Sequence, residues 1–222
     1  MTQKKTKFTI NYISELNLPN KSAYSIHVMK MCEAFSKLGY KTNLITINSK
    51  NLPKIFKNYN VKHKFHILSI FDNFKKLNFF LRIIFALKII LGNFDDKSIY
   101  LSRSIIFALL ASTMKKNIVL ELHHEITGFS KFIYLFLKHL RLIQNLNYFF
   151  LHKNLRNYFK IDPKKNIILD DASNINDFKN KRTKKLKNTC IYIGSFFEGK
   201  GIEQIFRLAK QNKKINFHIY GE

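Results

Sequence analysis

Thr189-Cys190-Ile191-Tyr192-Ile193-Gly194-Ser195-Phe196-Phe197-Glu198-Gly199-Lys200-Gly201 is followed by an amphipathic run and then by a second apolar stretch, Ile215 to Tyr220. This order reads as strand, glycine-bounded loop, helix, strand, the opening unit of a nucleotide-binding α/β domain. The loop delivers the chain to a helix N-terminus. Unpaired backbone N–H groups, the positive end of the helix dipole and the Lys200 ammonium therefore converge where a phosphate can sit. A P-loop reading fails at its magnesium ligand, because Gly201 rather than Ser or Thr follows Lys200.

A second unit of the same kind lies at the other end of the chain. Residues 8 to 14 form a β-rich apolar run, and a polar loop spans Glu15 to Lys21. A helical period then takes in Ile26, Met29, Cys32, Phe35 and Leu38, with Gly39 where a helix C′ residue belongs and a strand from Thr42 to Ile47. Between the two units the pattern alternates: strand 65–70, helix 77–91, strand 98–102, helix 104–114, strand 117–122, helix 131–143, strand 148–151, helix 152–159, strand 166–169. Such alternation predicts an α/β fold, a doubly wound and mostly parallel Rossmann-like sheet with helices on both faces. The lysine-rich stretch from Asp171 to Asn188 has no apolar period and divides the chain into residues 1–170, a linker at 171–188, and residues 189–222.

With 46% hydrophobic and 14% aromatic residues in 222, the chain can build a real core. The two cysteines, Cys32 and Cys190, stand in unrelated contexts and suggest buried reduced thiols, as in the cytoplasm, with no disulfide framework and no metal cluster. No secretory signal is visible at the N-terminus. The formal net charge of +25 is almost wholly lysine and is spread along the chain. Lys, Asn, Ile and Phe are inflated together, as A- and T-rich codons would produce, so compositional bias and a functional basic surface both stand as readings. No zinc-finger or RNA-binding aromatic signature appears, so a basic surface fits a membrane better than a specific nucleic acid. Residues 78–91 and 131–143 are very apolar but too short and too charged to span a bilayer. Each is expected to pack one face on the sheet while its basic side chains snorkel, the alternative being that they lie at a membrane surface.

Four segments, in order along nearly the whole chain, resemble retaining glycosyltransferases of family 4, which have the two-domain GT-B fold. Pro19 to Ile45, with His27-Val28, Met31-Cys32, Ala34-Phe35 and Leu38-Gly39, resembles the family's first crossover, although Tyr40 stands where a His is usual. Ile99 to Ser104, the following helix and Asn117 to Glu125 resemble the segment that closes on a strand with Glu-x-His, here Glu121 and His123. Leu151 to Phe159 and Asn166 to Phe178 resemble the exit from the first domain. Finally, Gly194 to Gly201 resembles the loop that holds the diphosphate of a sugar nucleotide.

The resemblance implies an acceptor-side domain at 1–170 and, at 189–222, the first β-α-β of a donor-binding domain, so that the chain reads as truncated. It implies transfer of a hexose from a UDP- or GDP-sugar to a glycan or lipid-linked acceptor in cell-surface polysaccharide biosynthesis. No cofactor beyond the sugar nucleotide and no metal is called for. An inactive remnant, or a module that binds acceptor or membrane without turnover, is the alternative. The expected location is the cytoplasm, with peripheral contact at the inner face of the cell membrane as a variant.

In doubly wound sheets ligands bind beyond the carboxyl ends of the strands, which selects the loop from Glu15 to Ser25 and the turns after Ser102 and Leu122. His123 follows its strand directly and, by resemblance, contacts the donor sugar or phosphate. Glu121 reads as structural and His124 as a weaker candidate. Ser22, Ala23 and Ser25 occupy the place of the family's small cleft residues, and Arg103 is a cleft cation or a member of an ion pair. In the second domain Gly194, Ser195, Gly199, Lys200 and Gly201 are the diphosphate-binding candidates, with Ser195 where many relatives carry an arginine. The paired glutamates, seven residues between them, that retaining members usually carry have no counterpart in this sequence.

Overall fold

The computed structural model describes residues 8–72, 78–93, 95, 97–114, 117–170, 172 and 187–221. The linker expected over 171–188 therefore lies, but for 172, 187 and 188, outside the described residues. The chain divides into two compact units, Met1–Asp171 and Ala172–Glu222.

The first unit is built on β1 (Thr9–Ile13), β3 (Lys41–Thr46), β5 (His66–Ser69), β6 (Ile99–Ser102), β7 (Ile118–Leu122), β8 (Asn147–Phe150) and β9 (Asn166–Ile168). These seven strands pair in the order β5-β3-β1-β6-β7-β8-β9, and every pairing is parallel. The doubly wound parallel sheet expected from the sequence is thus the observed fold. Strand residues alternate between two cores. Tyr12, Leu44, Ile67 and Leu101 face α1 (Ala23–Lys37) and α2 (Leu52–Asn58). Ile13, Ile45, Tyr100, Leu120 and Phe150 face α3 (Phe79–Asn93), α4 (Ile105–Ser112), α5 (Gly128–His139) and α6 (Lys153–Phe159). The apolar α4, Ile-Ile-Phe-Ala-Leu-Leu-Ala-Ser, is buried nearly all round, as its lack of a polar face requires.

Three local expectations are corrected. In α1 the buried residues are Ser25, Val28, Met29 and Cys32, whereas Ile26 and Leu38 are exposed. A series spaced by three slips about 60° per step on a helix of 3.6 residues per turn, so its two ends swing away from the face that Cys32 defines. The helix expected at 131–143 runs instead from Gly128 to His139. Arg141 takes a left-handed conformation (φ 57°) and Leu142 N–H donates back to the Leu137 carbonyl, a cap that stops the helix although the apolar period continues. The segment between 50 and 64, without an assigned element, contains α2, started by the Asn51 side chain accepting from Lys54 N–H and by Pro53 in its first turn. The polar loop after β1 contributes β2 (Asn17–Leu18), which pairs with β4 (Asn48–Ser49).

The second unit pairs β10 (Thr189–Ile193) with β11 (Asn216–Tyr220) in parallel, joined by α7 (Ile202–Gln211). Cys190, Tyr192, Phe217 and Ile219 are partly buried, whereas Ile191, Ile193 and Tyr220 on the opposite face are exposed, Ile193 at 80%. A strand pair with one open face has few contacts to resist local opening. Amides of residues 189–193 and 216–220 are expected to exchange with deuterium roughly 10²-fold faster than those of β1 and β3, which are paired on both edges and covered on both faces. Equal protection in the two sets would contradict this account.

Candidate functional site

The strand order reverses between β1 and β6, since the chain runs from β1 out to β5 on one side and from β6 out to β9 on the other. The crevice beyond the carboxyl ends of these strands is where an open α/β sheet takes a ligand. Tyr12, Leu101 and Val119 form one row across β1, β6 and β7, and Glu121 lies two residues beyond that row on the same face. The Tyr12 phenol reaches over β6 and donates to Glu121 Oε2 at 2.5 Å. Glu121 Oε1 meets His123 Nε2 at 2.6 Å and His27 Nε2 at 2.8 Å, and Arg103 Nη1 stands 3.8 Å away. The two imidazoles meet edge to face with centroids 5.0 Å apart.

The Glu121 side chain is only 7% exposed. Burial by itself would raise its carboxyl, but hydrogen bonds from His123, His27 and Tyr12, with the charge of His27, outweigh burial and hold it well below the usual carboxylate range. The carboxylate is therefore ionised at neutral pH and acts only as an acceptor. Facing an acceptor-only carboxylate, His123 Nε2 donates to it and Nδ1 is left as the other ring nitrogen. Tyr12 is shifted the other way, its phenol pushed well up by burial and by the neighbouring Glu121 charge.

Arg103 leaves β6 in Ser102-Arg103-Ser104, with Ser104 capping α4. Its guanidinium stacks over the Tyr24 ring at 4.0 Å, which fixes the planar group beside Glu121. Burial pushes the Tyr24 phenol up to about 12, against a hydrogen bond of 2.6 Å donated by Ser14. On the far side of Ser104 a second carboxylate, Glu15, accepts from the Ser104 hydroxyl at 2.6 Å and pairs with Arg82 Nε at 3.1 Å. The crevice wall is thus lined with paired charges.

Of the candidates read from sequence, His123 and Arg103 meet at Glu121. Ser22, Ala23 and Ser25 open α1, and the two hydroxyls are engaged there: Ser22 Oγ accepts from Ser25 N–H at 3.1 Å, and Ser25 Oγ donates to the Ser22 carbonyl at 2.7 Å. His124 is exposed. Sequence reasoning passed over Tyr12, Tyr24 and His27 and gave Glu121 no role in the cleft. The two-residue spacing of Glu121 and His123 on a strand was the available signal for half of the cluster, while His27 and Tyr12 join it only through the strand order.

His27, Glu121 and His123 also form the group among the described residues whose ligand-type atoms lie within 4.8 Å of one another, a donor set a divalent cation accepts. The 2.6 and 2.8 Å separations are hydrogen-bond distances, however, and the Arg103 cation beside the same oxygen opposes a second positive charge. The cluster is read as a hydrogen-bonded carboxylate.

In the second unit Gly199 and Gly201 hold φ values of 82° and 78°, a conformation that side chains resist, and Gly201 is the N-cap of α7. The Tyr192 hydroxyl lies 3.0 Å from the Ser195 carbonyl and 3.4 Å from that of Lys200, so it donates to the loop from the strand beneath. Lys200 N–H is committed to the Phe197 carbonyl at 3.1 Å, while the first-turn amides of α7 have no intrahelical acceptor. Gly194 N–H donates to the Tyr220 carbonyl at 3.0 Å, and a side chain on Gly221 would run into the Gly194 carbonyl. Ser195 and Lys200 are exposed, as is Glu203, an acid in the first turn of α7 that competes for the same dipole.

Neither the models of known protein families nor the curated proteins contain a match to this chain. Solved structures do. A glycosyltransferase from Rickettsia africae ESF-5 aligns at a TM-score of 0.60 and 14% identity, over 97% of this chain and 68% of that one. The apo form of the lipopolysaccharide outer core galactosyltransferase WaaB aligns at 0.55 and 12%, over 96% and 68%. Anabaena HepE in complex with UDP-glucose aligns at 0.53 and 7%, over 96% and 69%. The chain has a glycosyltransferase fold. That fold is of the GT-B-like kind, and this chain spans about two thirds of the length of each neighbour.

The depressed Glu121 carboxyl has a defined sign in stability. A group whose folded pKa lies below its usual 4.5 stabilises the fold above that value and loses its contribution as pH falls toward the folded value. Glu121→Gln is expected to lower stability near neutral pH by about 2 kcal/mol, the scale of a hydrogen bond to a charged group. Denaturant titrations of the two proteins should converge as the pH is lowered from about 5 to about 3. A gap that stays constant over that window would mean that the carboxylate is not held ionised by this cluster.

Proposed function

We propose that this chain is the glycan-forming part of a retaining glycosyltransferase similar to family 4, with residues 1–170 on the acceptor side, a linker at 171–188, and residues 189–222 beginning the donor side. The reaction is transfer of a hexose from a UDP- or GDP-sugar to a glycan or lipid-linked acceptor in cell-surface polysaccharide biosynthesis. The observation that carries this reading is the buried Glu121 carboxylate, which gathers His123, His27, Tyr12 and Arg103 at the ligand-binding edge of a glycosyltransferase fold. The HepE neighbour holds UDP-glucose in its crystal structure, which supports the nucleotide-sugar part of the reading.

Each residue has a role that its environment supports. Glu121 fixes the tautomer and plane of His123, and the remaining edge of that imidazole contacts a hydroxyl or phosphate of the donor. Arg103, held flat on Tyr24, meets the acceptor, in the neighbourhood of Ser22, Ala23 and Ser25 at the start of α1. Lys200 and the amides that open α7 neutralise charge as the diphosphate departs, and the turn that places them requires Gly199 and Gly201. Gly194 and Ser195 begin this loop, and Ser195 supplies a hydroxyl in place of a cation, so Lys200 carries the loop's positive charge alone.

Ligand-observed NMR with UDP, GDP and the corresponding hexose derivatives tests the donor part without requiring turnover. Binding should be saturable, and Lys200→Ala should weaken it about tenfold or more, the loss of one charge-assisted contact. Where transfer is measured, His123→Ala is expected to lower kcat/KM by roughly 10², as when a positioning contact in the transition state is lost. Wild-type binding in Lys200→Ala and wild-type rates in His123→Ala would remove both residues from the site, while binding without any transfer would leave a module that holds sugar nucleotide only.

A further inference from the structure

The outward faces of α3 and α5 take no part in the crevice. Both helices pack on the sheet as their sequences predict, yet what they turn outward is not only lysine. In α5, Ser130, Ile133, Tyr134 and Leu137 face inward or lie partly buried, while Phe129, Phe132, Leu135 and Phe136 are exposed, Phe132 at 64%. Phe129, Phe132 and Phe136 follow a helical i, i+3, i+7 spacing, and exposed Leu140 continues their stripe. In α3, Phe80, Leu87 and Leu91 do the same at i, i+7, i+11, with exposures of 68%, 44% and 85%. The two helices meet where Phe79 and Phe129 pack edge to face at 4.8 Å, and Phe129 in turn stacks on Phe132 at 5.8 Å. Aromatic and leucine side chains of two helices thus share one side of the first unit, where isolated exposed apolar residues would need no explanation.

The charges that flank these stripes have a single sign. No Asp or Glu occurs from 73 to 94 or from 126 to 161, while Lys88, Lys131, Lys138 and Arg141 lie within those limits, and Arg82 there is paired with Glu15. Lys131 and Lys138 line a cleft of about 150 Å³ between α5 and α6, with Tyr134 and Tyr158, and their ammonium groups reach Tyr158 Oη at 3.3 Å and the Phe159 carbonyl at 3.4 Å. Among the described residues no helix is long and apolar enough to cross a membrane. We propose that the exposed faces of α3 and α5 dock the first unit onto an anionic lipid bilayer, with Phe80, Phe129, Phe132 and Phe136 entering the headgroup and acyl boundary and Lys131, Lys138 and Arg141 held at the phosphates. A helix lying in the plane of the interface needs this combination of an apolar stripe and basic flanks. Sign selects the occupant. A second copy of this chain would bring the same cations face to face across the contact, whereas an anionic surface accepts them together with the apolar stripe. The inference is independent of the sugar-transfer reading.

The chain contains no tryptophan, so a single Phe132→Trp substitution reports the environment of the stripe without background. Flotation with phosphatidylglycerol-containing vesicles should capture the protein about tenfold or more better than flotation with neutral phosphatidylcholine, from two or more lysines at the surface. Fluorescence of Phe132→Trp should shift to the blue only with the anionic vesicles. The double substitution Phe132→Ser and Phe136→Ser should reduce capture with little change in circular dichroism and thermal unfolding, because both residues are more than half exposed. Lys131→Glu with Lys138→Glu should remove the preference for anionic lipid. Failure to float with anionic vesicles would overturn the proposal. So would capture that the phenylalanine substitutions leave unchanged, or lipid-free self-association abolished by the same substitutions, which would identify a second copy as the occupant.

Discussion

The crevice is organised by a carboxylate that is almost wholly withdrawn from water. A buried charge is tolerated only when its oxygens are supplied with donors, and Glu121 takes them from three places distant in sequence: the phenol of Tyr12 on β1, the imidazole of His27 on α1, and the imidazole of His123 just past its own strand. Arg103, beyond β6, completes the ring at 3.8 Å. Each donor is thereby denied other conformations. The geometry at the carboxyl edge of the sheet is tied to satisfying one acceptor, and the His27 side chain links the first turns of α1 to Glu121 on β7.

The second unit solves the same kind of problem with backbone rather than charge. Its loop must turn twice in a conformation open to glycine, at Gly199 and Gly201, before α7 can begin. The Tyr192 hydroxyl reaches up from β10 to the carbonyls of Ser195 and Lys200, so the strand sets the shape of the loop above it. Little conformational freedom then remains in the loop.

Alternation of strands and helices and the positions of His123 and Arg103 just past their strands were legible because each is a local pattern. The parallel sheet followed from that alternation, and His123 and Arg103 followed from their positions directly after strands. What stayed hidden was lateral. Nothing in the sequence around Tyr12 states that β6 will insert beside β1 and bring β7 within reach of a phenol, so a residue within an apolar strand passed as core. Glu121 was assigned to structure, and the structural bond is the one that orients the site. The outward stripes on α3 and α5 were hidden for a different reason, since a period shows that one face is apolar but not that the opposite face keeps phenylalanines in solvent. The cap at Arg141 was invisible as well, because the apolar period runs on through it.

The Tyr12 to Glu121 bond joins positions 109 residues apart. Closing so long a loop costs chain entropy, and the pairing of β1 with β6 and of β6 with β7 is what brings the two side chains together. Without that pairing Glu121 lacks the Tyr12 donor. The cluster around Glu121 therefore cannot be complete before β7 is in place, and a nascent chain that has completed only β1 to β5 lacks it.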